Sequence, residues 1–401
     1  MRFICEIVIV FAFVSLLAND TFAQSNSLRF PTGLTKVTLP FKAADNLMLI
    51  DAELNGKAGV FIFDTGAEGT VVNASFAKII GLVNKGTTTG NGSAGSATAG
   101  IIRGVNILVG GIAFNGATVY SLPIDSLTPA LGYKIDGILG NDFIAKVVAE
   151  IDYAAGTLTL HQPGSYSAPA DAEKVPLIIE DGLPFIKAAI TLDDKRTIAG
   201  KFEIDTGSTG TLLLNSPVVS KYNLTTTLSN YLDTKTGGVG GTGTSKIVRI
   251  NAVSLGQFKI DRPITQLFTG TKGDNASAAY AGLLGGAIFR RFKMTVDMSG
   301  KRLLLEPNSF IKDEFDTDMS GLSLVSGSDD LTSILIDEVR PGSTAAKAGA
   351  AEGDIIVSIN GQSNLTLQQA RRLLRAAGEY DLTLKRGGKI VNVHLTLKRI
   401  I

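Results

Sequence analysis

The chain repeats itself. VFIFDTGAEGTVVNASFAKIIGL, which begins at Val60, matches KFEIDTGSTGTLLLNSPVVSKYNL, which begins at Lys201, and places Asp64 and Asp205 205 − 64 = 141 residues apart. DGILGNDFIAKVVAEIDYAAGTLTLHQP matches AGLLGGAIFRRFKMTVDMSGKRLLLEP, with Gly140 and Gly285 285 − 140 = 145 residues apart. Both copies keep one order: an apolar strand ending in Asp-Thr-Gly, a Gly-rich stretch, an apolar-apolar-Gly segment and a closing hairpin. A unit this long, present twice, predicts two similar lobes rather than a solenoid of short units.

The lobes are expected to be mainly β. Val, Ile, Leu and Thr fill the apolar runs, 45 glycines supply turns, and Trp is absent. A length of 401 residues with 44% hydrophobic residues suits two or three domains. A net charge of +1 gives no reason to expect a nucleic-acid partner.

The N-terminus carries Arg2, an apolar run from Ile7 to Leu17 and small residues around Ala23. It reads as a signal peptide over residues 1–23, which predicts a secreted or periplasmic protein with no stable membrane span after its removal. The only cysteine, Cys5, lies in that segment. The remaining chain has no thiol for a disulfide, a nucleophile or a metal. His161 and His394, the only two histidines, fall on probable strands of different domains, so no zinc site is expected.

Two linkers divide the rest. HQPGSYSAPADAEK, from His161, separates lobe 1 (24–165) from lobe 2 (166–310), and NSFIKDEFDTD leads to a third unit at 315–401. In that unit Thr366 and Gln369 are spaced as a capping box, and Gly387-Gly388 marks a hairpin. Arg371, Arg372 and Arg375 are expected on the solvated face of its helix.

A buried, unpaired carboxylate is costly. Two that meet across a pseudo-twofold seam can share one proton. Gly66 and Gly207 permit tight turns whose N–H groups point at the acids. Thr65 and Thr206 supply hydroxyls to brace the two loops, and Ser208, where lobe 1 has Ala67, is placed to hydrogen-bond Asp205. One ionised acid can activate a water while its protonated partner donates to a carbonyl. GNGSAG (Gly90, Gly92, Gly95) and GVGGTG (Gly238, Gly240, Gly241) fit G-x-G-x-x-G, but strands follow them rather than helices. They read as hairpin flaps able to close over a bound peptide.

FDTGAEG and IDTGSTG, each with its later ILG or LLG, resemble the retropepsin-like and pepsin-like aspartic proteases. That resemblance implies a bilobal acid-protease fold, Asp64 and Asp205 as the catalytic dyad, peptides or unfolded segments as substrates, and no cofactor. RPGSTAAKAGAAEGDIIVSINGQ resembles PDZ domains of bacterial envelope proteases. By that likeness, N–H groups at Ser320, Gly321 and Leu322 capture a peptide C-terminus beside a strand from Leu322 to Val325, and Thr366, Ala370 and Leu373 line the groove. The alternative is a catalytically silent peptide-binding scaffold on the same shell.

Overall fold

The computed structural model describes residues 4–10, 26–327 and 331–401 of the chain. The architecture is mainly β, in three sheets of the two lobes and a fourth in the C-terminal unit.

In lobe 1 six strands pair in a ring. Ile112–Leu122 joins Val71–Asn73, followed by Gly137–Leu139, Lys57–Phe63, Leu47–Leu54 and Gly95–Val109, which returns to Ile112–Leu122. Closure leaves no unpaired edge in the ring. Lobe 2 repeats this order with Ile264–Phe268, Leu212–Leu214, Gly282–Gly285, Thr197–Asp205, Leu183–Thr191 and Ala252–Leu255. Strand alternation sorts the side chains. Phe61, Phe63, Phe202 and Ile204 enter one large core shared by both lobes. Ile62, on the opposite face, joins a separate apolar layer.

A six-stranded sheet crosses between the lobes. Its central pair is Val148–Asp152 of lobe 1 against Phe292–Asp297 of lobe 2, with Glu150 opposite Thr295. Those two residues are 295 − 150 = 145 apart, the offset that relates Gly140 to Gly285. The pseudo-twofold axis therefore passes through this pair.

The C-terminal unit has its own core, built on strands Leu322–Ser326, Ile334–Val339, Ile355–Ile359, Gly378–Arg386 and Lys389–Leu397 and on the helix Leu367–Leu374. Thr366 and Gln369 form the capping box. Gly387 and Gly388 turn the last hairpin with φ of 53° and 83°, the left-handed pair that such a turn requires.

The signal-peptide expectation falls largely outside the described residues. Within it, Ile4–Val10 is a strand parallel to Leu232–Gly238. Among the described residues, no helix is long and apolar enough to cross a membrane.

Candidate active site

Each Asp-Thr-Gly turn leaves the end of a central strand, and the apolar-apolar-Gly segment threads beside it. Gly137–Leu139 runs parallel to Lys57–Phe63, and Asp64 N–H donates to Leu139 O at 3.0 Å. Gly282–Gly285 runs parallel to Thr197–Asp205 in the same way. The closing glycine is required by close approach. A Cβ at Gly140 would lie 2.6 Å from Gly69 O, and one at Gly285 would lie 2.4 Å from Gly210 O.

The structure brings the two turns together within one chain. Asp64 and Asp205 are fully buried and face each other across the seam, close enough for each to act on the other's ionisation. Each turn's glycine faces the other lobe's acid. A Cβ at Gly66 would lie 2.7 Å from Asp205 Oδ1, and one at Gly207 would lie 2.2 Å from Asp64 Cγ. Gly66 N–H donates to Asp64 Oδ1 at 2.7 Å. Beyond the contact between the acids, no well-directed hydrogen bond from the protein reaches Asp64 Oδ2 or either oxygen of Asp205.

The threonines lock the seam. Thr65 Oγ1 donates to Ile204 O at 2.6 Å and accepts Thr206 N–H at 3.1 Å. Thr206 Oγ1 donates to Phe63 O at 2.9 Å and accepts Thr65 N–H at 3.0 Å. Asn141, just after the Gly140 turn, adds a donor to Thr65 O at 2.7 Å. Ser208 departs from expectation: its hydroxyl accepts Gly210 N–H at 3.3 Å within its own loop and makes no hydrogen bond to Asp205.

Burial is the main influence on both acids and raises both. Asp64 is partly compensated by the Gly66 N–H and its neighbour. Asp205 is raised further by the charges of Asp64 and Glu203. Asp64 alone of the two accepts a directed backbone hydrogen bond, from Gly66 N–H, and the pair titrates as a unit.

The Gly-rich stretches are hairpins that meet at their tips. Thr87–Gly92 pairs with Gly95–Val109, placing Gly90 opposite Ala97, and Leu232–Gly238 pairs with Gly241–Arg249, placing Gly238 opposite Gly241. A Cβ at Gly92 would lie 2.0 Å from Val239 O, and one at Gly95 would lie 2.3 Å from Gly240 O. Backbone passes against backbone here, which only glycine allows. Asn275 N–H also donates to Ser93 O, at 3.2 Å, so the lobe 1 tip is held by lobe 2.

Residues 50–143 match the aspartyl protease family, and residues 335–385 match the PDZ domain family. The chain carries an aspartyl protease domain and a PDZ domain. A search of curated proteins gives no match. The match covers lobe 1 of the protease, with Asp64 and Gly140 inside it. Lobe 2 is tied to it by the repeat and by the common strand order.

The PDZ groove differs from the sequence expectation. Asp318 already accepts the N–H groups of Ser320, at 3.1 Å, and of Gly321, and Leu322 N–H goes to the Ser320 hydroxyl at 3.1 Å. An acid two or three residues upstream thus takes the donors expected to hold a peptide carboxylate. Ala370 is fully buried in the PDZ core, Leu373 packs against that core, and Thr366 serves as the helix cap. Lobe 1 covers the groove. Its short helix Leu127–Leu131 lies against the strand Leu322–Ser326, and Gln368 donates to Leu131 O. Arg371 donates to Ala130 O at 2.8 Å and to Leu324 O at 2.6 Å, and forms an ion pair with Asp45. Arg375 adds a contact to Asp45 at 3.8 Å. Two of the three arginines expected on a solvated face therefore form the seam between domains, because the helix docks on lobe 1. Between the PDZ strand and both lobes lies a cavity of 850 Å³ reached by Asn46, Leu213, Leu283, Val325 and Arg375.

Among the described residues, no cluster of His, Cys, Asp and Glu has the arrangement to hold a metal ion. His161 is a buried strand residue paired with Glu150 at 3.3 Å, and His394 bridges Asp381 and Glu379 on the PDZ surface.

Proposed function

We propose that the protein is an aspartic endopeptidase, secreted or periplasmic, that hydrolyses peptide bonds with the Asp64/Asp205 dyad. The observation that carries this reading is the placement of two fully buried acids against each other, with three carboxyl oxygens left for a ligand. A buried acid with no such task is a net cost to folding.

In this mechanism Asp64, whose carboxylate accepts the Gly66 N–H, takes a proton from water as the water attacks the scissile carbonyl. Asp205 gives its proton to the carbonyl oxygen. The tetrahedral intermediate then collapses as the proton held by Asp64 passes to the leaving nitrogen and a gem-diol hydroxyl returns its proton to Asp205, which leaves the dyad with the single proton it began with. Thr65 and Thr206 hold the two loops in register, and the hairpin tips exclude bulk water. The PDZ domain offers a second, peptide-type recognition surface whose groove is packed against lobe 1.

The test is digestion of a mixed peptide library by the full chain, read by mass spectrometry. Internal cleavage by the wild type, lost in Asp64→Asn and in Asp205→Asn, is the expected result. Peptide binding without cleavage at any pH between about 3 and 9 would instead establish the silent scaffold.

A further inference from the structure

The repeat aligns Ile62 with Glu203, since 203 − 62 = 141 is also the offset of the two catalytic-site acids. Both residues sit two positions before the acid, on the strand face that looks away from the large core. In lobe 1 that face is apolar. Ile62 packs with Leu49, Val71, Ala99 and Ile138, and with Val239 from the tip of the opposing hairpin. Ala67, which directly follows the Asp64 turn, shares this layer with that tip residue, which marks the layer as the lobe 1 wall of the cleft.

The lobe 2 wall is built differently. Its apolar part is Leu213, Phe268 and Leu283, joined by Ala94 from the lobe 1 hairpin tip. Glu203 stands in that wall, in register with Leu283. It is 1% exposed, and neither carboxyl oxygen has a hydrogen-bond partner. Asp274, 6% exposed, leaves its Oδ2 unpartnered beside it, and Gln266 leaves both ends of its amide unpartnered. The charges acting on Glu203 come from Asp274, Asp64 and Glu68, all acidic. Unsatisfied buried polar groups are rare in folded proteins and costly where they occur. Here several converge on one wall, where the repeat has an apolar residue.

We infer that Glu203, supported by Asp274, forms a subsite for a cationic side chain, arginine or lysine, next to the scissile bond, while the lobe 1 wall receives an apolar residue across it. This rests on the reading of the cleft as a peptide site. A guanidinium has five donors in a planar fork and can satisfy both acids at once. With no cation beside it, burial and the like charges around it favour the protonated form of Glu203. An entering cation makes the ionised form favourable, so Glu203 loses its proton to solvent as the pair forms.

The experiment uses the full chain and peptides that differ at one residue flanking the cleavage site: arginine, lysine, citrulline or norleucine. Citrulline keeps arginine's shape without its charge. The wild type is expected to favour arginine over citrulline in kcat/KM by roughly tenfold to a hundredfold. Glu203→Gln is expected to bring that ratio close to one, and Glu203→Ile, which restores the lobe 1 residue, to favour norleucine. A wild type indifferent to the charge, or a Glu203→Gln variant that keeps the preference, overturns the inference. If the wild type cleaves none of the peptides, the protease reading fails separately. The same series with an uncleavable hydroxyethylene link then decides the subsite by direct binding. Tighter binding of the arginine peptide than the citrulline peptide, lost in Glu203→Gln, supports it; equal affinity removes it.

Discussion

Thr65 and Thr206 each accept the other's backbone N–H on the side-chain hydroxyl, at 3.1 Å and 3.0 Å. Each hydroxyl also donates across the seam to a carbonyl of the other lobe's strand. Thr65→Val removes one acceptor and one donor at a fully buried site, leaving Thr206 N–H and Ile204 O orphaned. At about 1–3 kcal/mol for each orphaned group, a loss of roughly 2–6 kcal/mol is expected. Chemical denaturation measures it. Thr65→Ser, which keeps the hydroxyl, is expected to recover most of the stability and of kcat, whereas valine recovers neither.

Burial raises both acids of the dyad, so both limbs of the pH profile should lie above the ordinary carboxylate range. The proposed mechanism needs one ionised and one protonated acid, which gives a bell-shaped kcat/KM. Substantial cleavage is expected at about pH 6, where a carboxyl of ordinary pKa, near 4, is almost wholly ionised. A profile confined to pH below about 4 contradicts this placement of the acids.

Stability should fall as pH rises through the neutral range. Burial pushes Asp142 up to about 6 and Asp274 up to about 7, both from an ordinary value of 3.8. Such a carboxyl keeps its proton in the fold after the unfolded chain has lost it. Its contribution is full below pH 3.8 and is lost as pH passes through 6 to 7. Asp274→Asn removes one of these titrations. The variant is expected to show a flatter Tm between pH 4 and 7, and to gain about 1–3 kcal/mol over the wild type at pH 8. Thermal melts across that range check both.

Arg371 holds the PDZ domain to lobe 1 through Asp45 and Ala130 O, and is braced within its own domain by Leu324 O. Removing one partner of a largely buried pair costs more than the pair contributes, because the other charge is stranded. Arg371→Ala is expected to release the PDZ domain, with a larger radius of gyration in small-angle scattering and faster proteolysis near residues 309–318. Binding of C-terminal peptides to the freed groove is expected to rise at the same time. An unchanged radius of gyration contradicts the latch.

How much could be read from the sequence depended on whether a feature is local or repeated. The two Asp-Thr-Gly turns, the glycines after them and the Thr366 cap are short-range patterns with a steric or hydrogen-bonding cause, and a second copy doubles the signal for the first two. The groove contacts had no such signal. Whether Ser320 N–H is free depends on the rotamer of Asp318, and whether Arg371 is solvated depends on a surface 326 residues away in the chain. Packing between domains leaves no period in either partner. Glu203 is legible in the repeat as an acidic residue aligned with the apolar Ile62, two positions before the second Asp-Thr-Gly. Ser208 misled because proximity in sequence to Asp205 does not set the direction of a hydroxyl.

The ladder between Glu150 and Thr295 joins positions that the duplication makes equivalent. An edge that pairs with its own counterpart is self-complementary. A half-length ancestor with one such edge would have been able to dimerise through it, and each dimer would have held one complete pair of acids. With both copies in one chain the halves are free to differ, so one wall of the cleft can carry a charge, at Glu203, without imposing it on the other, at Ile62.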